Sequence, residues 1–277
     1  MPGEVATGRF ITRDARREDH PAFVGFWAEL GIDQPAPDID YWDVHLRPKT
    51  FFLEAPTGEL AAYALTFPFG ARGDVRQIVV GPAYRRRGIG QQLLAEVAGR
   101  FRAAGVRDWR LEVRADNAPA IALYRSVGMT VLREIHTVRV TREVAARFAA
   151  TRSGTLQVQI VDPADDAVLE ERFDYGRGQL ARWRTARGAD AALWRIGTEA
   201  LAQYMPQFAP AWGLLFPLRA SDADHAAHLF AAVVDRGMRE EIEMLVADPP
   251  VIEALAAAGS RHVETMYEMA GPIPSAP

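Results

Sequence analysis

The 277-residue chain contains no cysteine, and Lys49 is its only lysine. Without cysteine there is no disulfide framework, no thiolate nucleophile and none of the usual structural zinc sites. The near-absence of lysine beside many arginines reads as compositional bias. No apolar run approaches the length that crosses a membrane. The opening "MPGEVATGRFITRDARRED" also lacks the apolar stretch of a signal peptide, which points to the cytoplasm.

What is present suits two globular domains. The chain is 49% hydrophobic and 25% charged, enough apolar material for two cores. The net charge of −4 is unevenly held: residues 1–150 carry +3 and residues 151–277 carry −7. A basic first half suits an anionic cofactor, and an acidic second half suits a cationic acceptor.

The pattern predicts a strand at Arg9–Arg13, a helix from Arg17 to Leu30 and then a proline-rich loop with several aromatics. The runs "TFFLEA", "LAAYALTF" and "VRQIVV" read as strands, the last closed by Gly81–Pro82. Leu93, Leu94, Val97, Phe101 and Ala104 fall at helical spacing before Gly105. In "DWRLEVRAD", Trp109, Leu111 and Val113 alternate with Arg110, Glu112 and Arg114, a half-buried strand. Asp116 or Asn117 caps a helix that ends at Gly128, and a strand covers Thr130–Val140. The expected fold is α/β, with a mixed central sheet flanked by helices. Residues 141–154 read as a short helix and a connector, so the expected domains are 1–150 and 151–277.

The second half reads as a worn copy of the first. "EMLVADPPVIEALAAAGSRHVETMYEM" follows "EVRADNAPAIALYRSVGMTVLREIHTV", with Asp248 set against Asp116, Pro250 against Pro119 and Gly259 against Gly128. "WGLLFPL" is set against "RQIVVGP".

One motif belongs to the first half alone. "YRRRGIGQQ" places Arg85, Arg86 and Arg87 beside Gly88 and Gly90, where a strand gives way to a helix. The first amides of a helix lack intrahelical partners and sit at the positive end of its dipole, which makes a cradle for phosphate. Glycine lets phosphate oxygens approach the backbone, and arginines add charge-assisted bonds. The loop lacks the Gly-Lys-Ser/Thr ending of a P-loop, and Leu93 stands where a dinucleotide fingerprint needs its third glycine. In the second half, Ala220, Ser221 and Asp222 replace this equipment.

Here the sequence resembles the GCN5-related N-acetyltransferases. Their acetyl-CoA loop, Gln/Arg-x-x-Gly-x-Gly/Ala after a strand, is matched by "IVVGPAYRRRGIGQ". Their second signature, Asn-x-x-Ala…Leu-Tyr-x-x-x-Gly, is matched by "NAPAIALYRSVGM", Asn117 to Met129. The resemblance covers roughly residues 9–142, and "LEVRADNAPAIALY" is especially similar to the bacterial ribosomal-protein N-terminal alanine acetyltransferases. It implies that the backbone of Ile78, Val79 and Val80 binds the pantetheine arm as an added strand, with the Val80 amide polarising the thioester. It also implies a pyrophosphate cradle built from Arg85, Arg86, Arg87, Gly88, Ile89, Gly90 and Gln91. Asn117 would contact the cofactor, Tyr124 would protonate the departing thiolate, and Glu112 would take the proton of the attacking ammonium. Asp74 is the reserve base.

Plainer readings exist for each. Glu112 can be an exposed strand residue paired with Arg110 or Arg114, and Tyr124 a core aromatic. Phe23, Phe26, Trp27, Tyr41 and Trp42 occupy the region of the family's acceptor wall, where packing is the simpler role. Asp222, His225 and His228 sit at helical spacing; a capped, solvated helix face explains them better than a metal, and no metal is expected. His20, His45, His136 and His262 have no arguable partners. The favoured reading is an acetyl-CoA-dependent transferase acting on a small amine or a protein N-terminus. Its rival is a non-catalytic acetyl-CoA sensor or docking module. Neither nucleic acid nor membrane is expected as a partner, and a homodimer is compatible with both readings.

Overall fold

The computed structural model describes residues 10–32, 34–187 and 191–275; Arg9, placed in the first strand by its sequence, lies outside them. The first half runs β1 (Ile11–Asp14), α1 (His20–Ala28), α2 (Ile39–Tyr41), β2 (Thr50–Glu54), β3 (Leu60–Phe69), β4 (Arg72–Val80), α3 (Ile89–Ala103), β5 (Asp108–Arg114), α4 (Ala118–Arg125), β6 (Thr130–Thr141) and α5 (Arg142–Ala149). The second runs β7 (Gln159–Ile160), α6 (Asp166–Arg172), α7 (Gln179–Arg187), β8 (Leu193–Ile196), β9 (Ala200–Met205), β10 (Trp212–Ala220), α8 (Ala223–Asp235), β11 (Glu241–Val246), α9 (Pro249–Ala258) and β12 (Arg261–Pro272). Among the described residues no helix is long and apolar enough to cross a membrane.

The chain forms two compact units that are interleaved in sequence. The first comprises residues 1–112, 118–130 and 269–277; the second comprises 113–117 and 131–268. A linear cut at residue 150 therefore does not follow the packing. β6 leaves the first unit after Thr130 to pair antiparallel with β11, from Thr141 opposite Glu241 to His136 opposite Val246. Strand pairing at long sequence separation overrides proximity along the chain.

In the first unit β1 to β4 form an antiparallel run, and β5 pairs parallel to β4. The helix α3 supplies the crossover that a parallel pair requires. Its buried stripe is Ile89, Leu93, Leu94, Val97, Ala98 and Phe101, the spacing the sequence shows. Truncating Phe101 to alanine would cost about 3–5 kcal/mol. A second cluster gathers Phe23, Phe26, Trp42, Phe52 and Tyr63. Residues 39–49, read from sequence as loop, turn through three short helical segments that bury Trp42 and Leu46 in this cluster.

In the second unit β10 pairs parallel with β11 and antiparallel with β9. The helix α8 buries Leu229, Phe230 and Val233, and the Phe230 ring meets Phe148 of α5 edge-on at 4.9 Å. The repeat is real in element order, but its register differs from the sequence comparison. Asp248 immediately precedes α9 as Asn117 precedes α4, so Asp248 corresponds to Asn117 and not to Asp116. Trp212 opens β10 as Arg72 opens β4. Pro217 lies inside β10 at a register shift between Leu215 and Leu218, where a missing N–H is tolerated. The sequence comparison sets Pro217 against Gly81, whereas by place in the two nine-residue strands it corresponds to Gln77.

Candidate active site

The site begins at the end of β4. The Gly81 amide donates to the Ala61 carbonyl at 2.9 Å, and the β3–β4 register continues through Val80 opposite Ala62, Val79 opposite Tyr63 and Ile78 opposite Ala64. Opposed residues of an antiparallel ladder alternate between exchanging both hydrogen bonds and exchanging none. Gly81 and Val79 thus direct their backbone groups to β3, while Val80 and Ile78 direct theirs to the other edge. On that edge the ladder with β5 covers Arg72 to Asp74 and ends there. Val79 is instead a core residue, its side chain buried with the aromatic cluster. The register shift between Leu65 and Thr66 leaves Arg76 as the extra residue of β4, a bulge that bends the strand where the ladder stops.

The loop that follows reverses through two left-handed residues, Arg86 at φ 64° and Gly88 at φ 76°. Gly88 is the N-cap of α3 and offers no side chain to the helix amides. A Cβ on Gly88 would find nothing nearer than Gln91 Oε1 at 4.0 Å, so this backbone is open to approach. Gly90 differs. Its Cβ would lie 2.9 Å from Leu123 Cδ2, so this glycine serves the packing of α3 on α4. The sequence reading assigned both glycines to phosphate approach; only Gly88 has the geometry for it. Ile89 buries its side chain and contributes only backbone.

The three arginines also divide. Arg85 donates from Nε to the Val80 carbonyl at 3.0 Å and from Nη2 to Glu29 Oε2 at 2.6 Å. Arg86 and Arg87 are exposed and make no hydrogen bond or ion pair with described residues. Tyr84 bonds Glu59 and meets the Phe10 ring edge-on.

Tyr124 lies on α4, buried, one residue from the Leu123 that faces Gly90. Burial pushes its hydroxyl up to about 12, so it holds its proton throughout the neutral range. Glu112 sits half-buried on β5 in an ion pair of 3.8 Å with Arg76. Arg114 turns to Asp116 at 2.8 Å. Asp74 stands opposite Arg110 at the last rung of the β4–β5 ladder. Asn117 belongs to the 113–117 segment of the second unit, its amide bonded to the Arg114 carbonyl at 3.0 Å.

The aromatic residues near α1 are packed. Phe23, Phe26 and Trp42 are buried, while Trp27 is half-buried and donates from Nε1 to the Gln34 carbonyl at 2.9 Å. The Tyr41 and His45 rings are tilted against each other at 4.8 Å, and His20 bonds the Pro37 carbonyl. Tyr63, which sequence reasoning passed over, is buried in that cluster and donates to Gln77 Oε1 at 2.8 Å. Asp222 caps α8, and His228 Nδ1 bonds the Asp224 carbonyl within the helix. Among the described residues no group of three or more His, Cys, Asp or Glu is placed to hold a metal ion. The His136 and His262 rings meet edge-on at 5.6 Å.

Residues 12–129 match the model of the acetyltransferase (GNAT) family. The chain is 53% identical over 134 residues to N-alpha-acetyltransferase RimI of Mycobacterium tuberculosis, covering 45% of this chain and 77% of that protein. It is 38% identical over 95 residues to the [ribosomal protein bS18]-alanine N-acetyltransferase of Escherichia coli K12, covering 33% of this chain. It spans 64% of that relative's length, just under two thirds. Among solved structures, a tandem GNAT protein from the clavulanic acid biosynthesis pathway aligns with a TM-score of 0.62 at 16% identity, over 97% of this chain and 99% of that one. That likeness is one of fold.

Proposed function

Because this chain belongs to the acetyltransferase (GNAT) family, we propose that it moves an acetyl group from acetyl-CoA to a primary amine by direct attack. One observation carries the reading: the outward backbone groups of Ile78 and Val80 adjoin a helix N-terminus whose cap, Gly88, has no side chain. The pantetheine arm is flexible and amide-bearing, and it can add to that edge as a strand does. The pyrophosphate then falls to the amides of Gly88, Ile89, Gly90 and Gln91, with Arg86 and Arg87 adding charge.

The amine nitrogen attacks the thioester carbon, the C–N bond forms and the C–S bond breaks. The Val80 N–H receives the developing oxyanion. Glu112 takes one proton from the acceptor ammonium before attack, directly or through water; as the intermediate collapses Tyr124 gives its proton to the CoA thiolate and regains one from the second proton leaving the nitrogen. The second unit is a degenerate copy without an acetyl-CoA site, and all of this machinery apart from the acceptor falls within residues 1–150. Relatives named for acetylating protein N-termini favour that acceptor class. Turnover of acetyl-CoA across a panel of N-terminal peptides and small amines tests the reading. Binding without turnover on any acceptor would instead support a sensor.

A further inference from the structure

We infer that Arg85, which the loop motif alone would set on the pyrophosphate, is a positioning residue for the Val80 amide. The inference rests on the acetyl-transfer reading above. The peptide joining Val80 to Gly81 is bonded at both ends: its N–H to the Ala61 carbonyl at 2.9 Å, its carbonyl to Arg85 Nε at 3.0 Å. A peptide plane held from opposite sides cannot turn without breaking a bond. That fixes the backbone at Val80 and, through the shared Cα, the direction of the Val80 N–H. Glu29, the C-cap residue of α1, holds the other end of the guanidinium at 2.6 Å.

Two consequences favour this role over phosphate binding. The Arg85 charge is already met by a carboxylate, whereas Arg86 and Arg87 have no such partner among the described residues. Arg85 also covers the Val80 carbonyl. An arm laid along the edge then finds the Ile78 groups and the Val80 N–H, but no acceptor at Val80. Sliding along the edge by one pair of residues is thereby disfavoured, and the thioester stays beside its donor.

The test compares Arg85→Met, Arg85→Lys and Glu29→Gln with the unaltered chain, reading acetyl-CoA affinity by calorimetry and kcat with an N-terminal peptide. Arg85→Met should lower kcat about tenfold or more, as expected for a misplaced donor, with acetyl-CoA affinity within about twofold. Arg85→Lys, which keeps a donor for the Val80 carbonyl, should recover part of kcat. Glu29→Gln should shift kcat the same way by less, and it tests the idea should Arg85→Met fail to fold. Weakened acetyl-CoA binding with kcat retained in Arg85→Met would make Arg85 a phosphate ligand and overturn the inference. So would unchanged kcat in both Arg85→Met and Glu29→Gln. Failure of the unaltered chain to bind acetyl-CoA is seen before any variant is made and sinks the underlying reading as well.

Discussion

Val80 and Ala220 hold the same place in their respective units. Each ends a nine-residue strand, and in each case the next residue's amide bonds the neighbouring strand: Gly81 to Ala61 at 2.9 Å, Ser221 to Glu199 at 2.8 Å. The alternation therefore turns the Ala220 N–H away from β9, as it turns the Val80 N–H away from β3. The Ala220 N–H meets Asp248 Oδ2 at 3.3 Å, and Arg219 holds the same carboxylate from Nε at 3.1 Å. The helix that follows also supplies its own anion. Asp222 caps α8 by accepting from the His225 amide at 2.9 Å, and that bond holds its carboxyl below the usual range. The counterpart of Tyr124, seven residues after Asn117, is Leu255, seven residues after Asp248, and Gly128 and Gly259 follow them by four residues each, both at positive φ. Leu255 is buried and carries no proton to give. The second unit satisfies with its own carboxylates what the first leaves open.

The comparison breaks most easily at Tyr124. Tyr124→Phe should lower kcat on the order of 10²–10⁴-fold and leave acetyl-CoA affinity unchanged, since the hydroxyl acts mainly in the transition state. Because burial raises this hydroxyl to about 12, kcat should show no descending limb from Tyr124 at pH 8–10. The same shift means that its contribution to stability is present below the unfolded pKa near 10 and is lost as pH climbs through 12. A limb near pH 9 that vanishes in Tyr124→Phe would count against this protonation state.

Next comes Asp248→Ala. Removing one partner of a largely buried ion pair strands Arg219 and the Ala220 amide, and should cost about 3 kcal/mol in denaturant unfolding. Acetyl-CoA stoichiometry should stay at one per chain. Titration showing two equivalent sites in the unaltered chain would erase the distinction between the units. Smaller still, Arg86→Ala with Arg87→Ala should weaken acetyl-CoA about tenfold and flatten its salt dependence, measured by calorimetry at two ionic strengths. The least effect is expected from Asp222→Ala, about 1 kcal/mol of stability for a lost cap, with no change in acetyl-CoA affinity.

Local order was legible in the sequence. The alternation of Trp109, Leu111 and Val113 gave a strand with those three buried, and the spacing of Leu93, Leu94, Val97 and Phe101 gave the buried stripe of α3. Both depend on side-chain period alone. The partners were not legible. Arg85 meets Glu29 across 56 positions and Glu112 meets Arg76 across the bulge, contacts that no spacing rule encodes. The bulge itself hides in a continuous β-branched run. Residues 39–49 carry no periodic signal, because their helical turns are too short to show one.

The return of residues 269–275 to the first unit has a temporal consequence. The Ile273 amide bonds the Arg107 carbonyl at 2.8 Å, and Arg102 reaches the Pro274 carbonyl across 172 positions. In synthesis from the N-terminus, the segment that closes the end of α3 and the start of β5 therefore emerges only after residues 131–268 have been made. Contacts of such separation slow folding, because loop closure must precede the stabilisation they bring. The first unit must wait, incomplete, while the whole second unit is synthesised. A nascent chain released at residue 150 would carry every proposed catalytic group and still lack the strand end that finishes their framework.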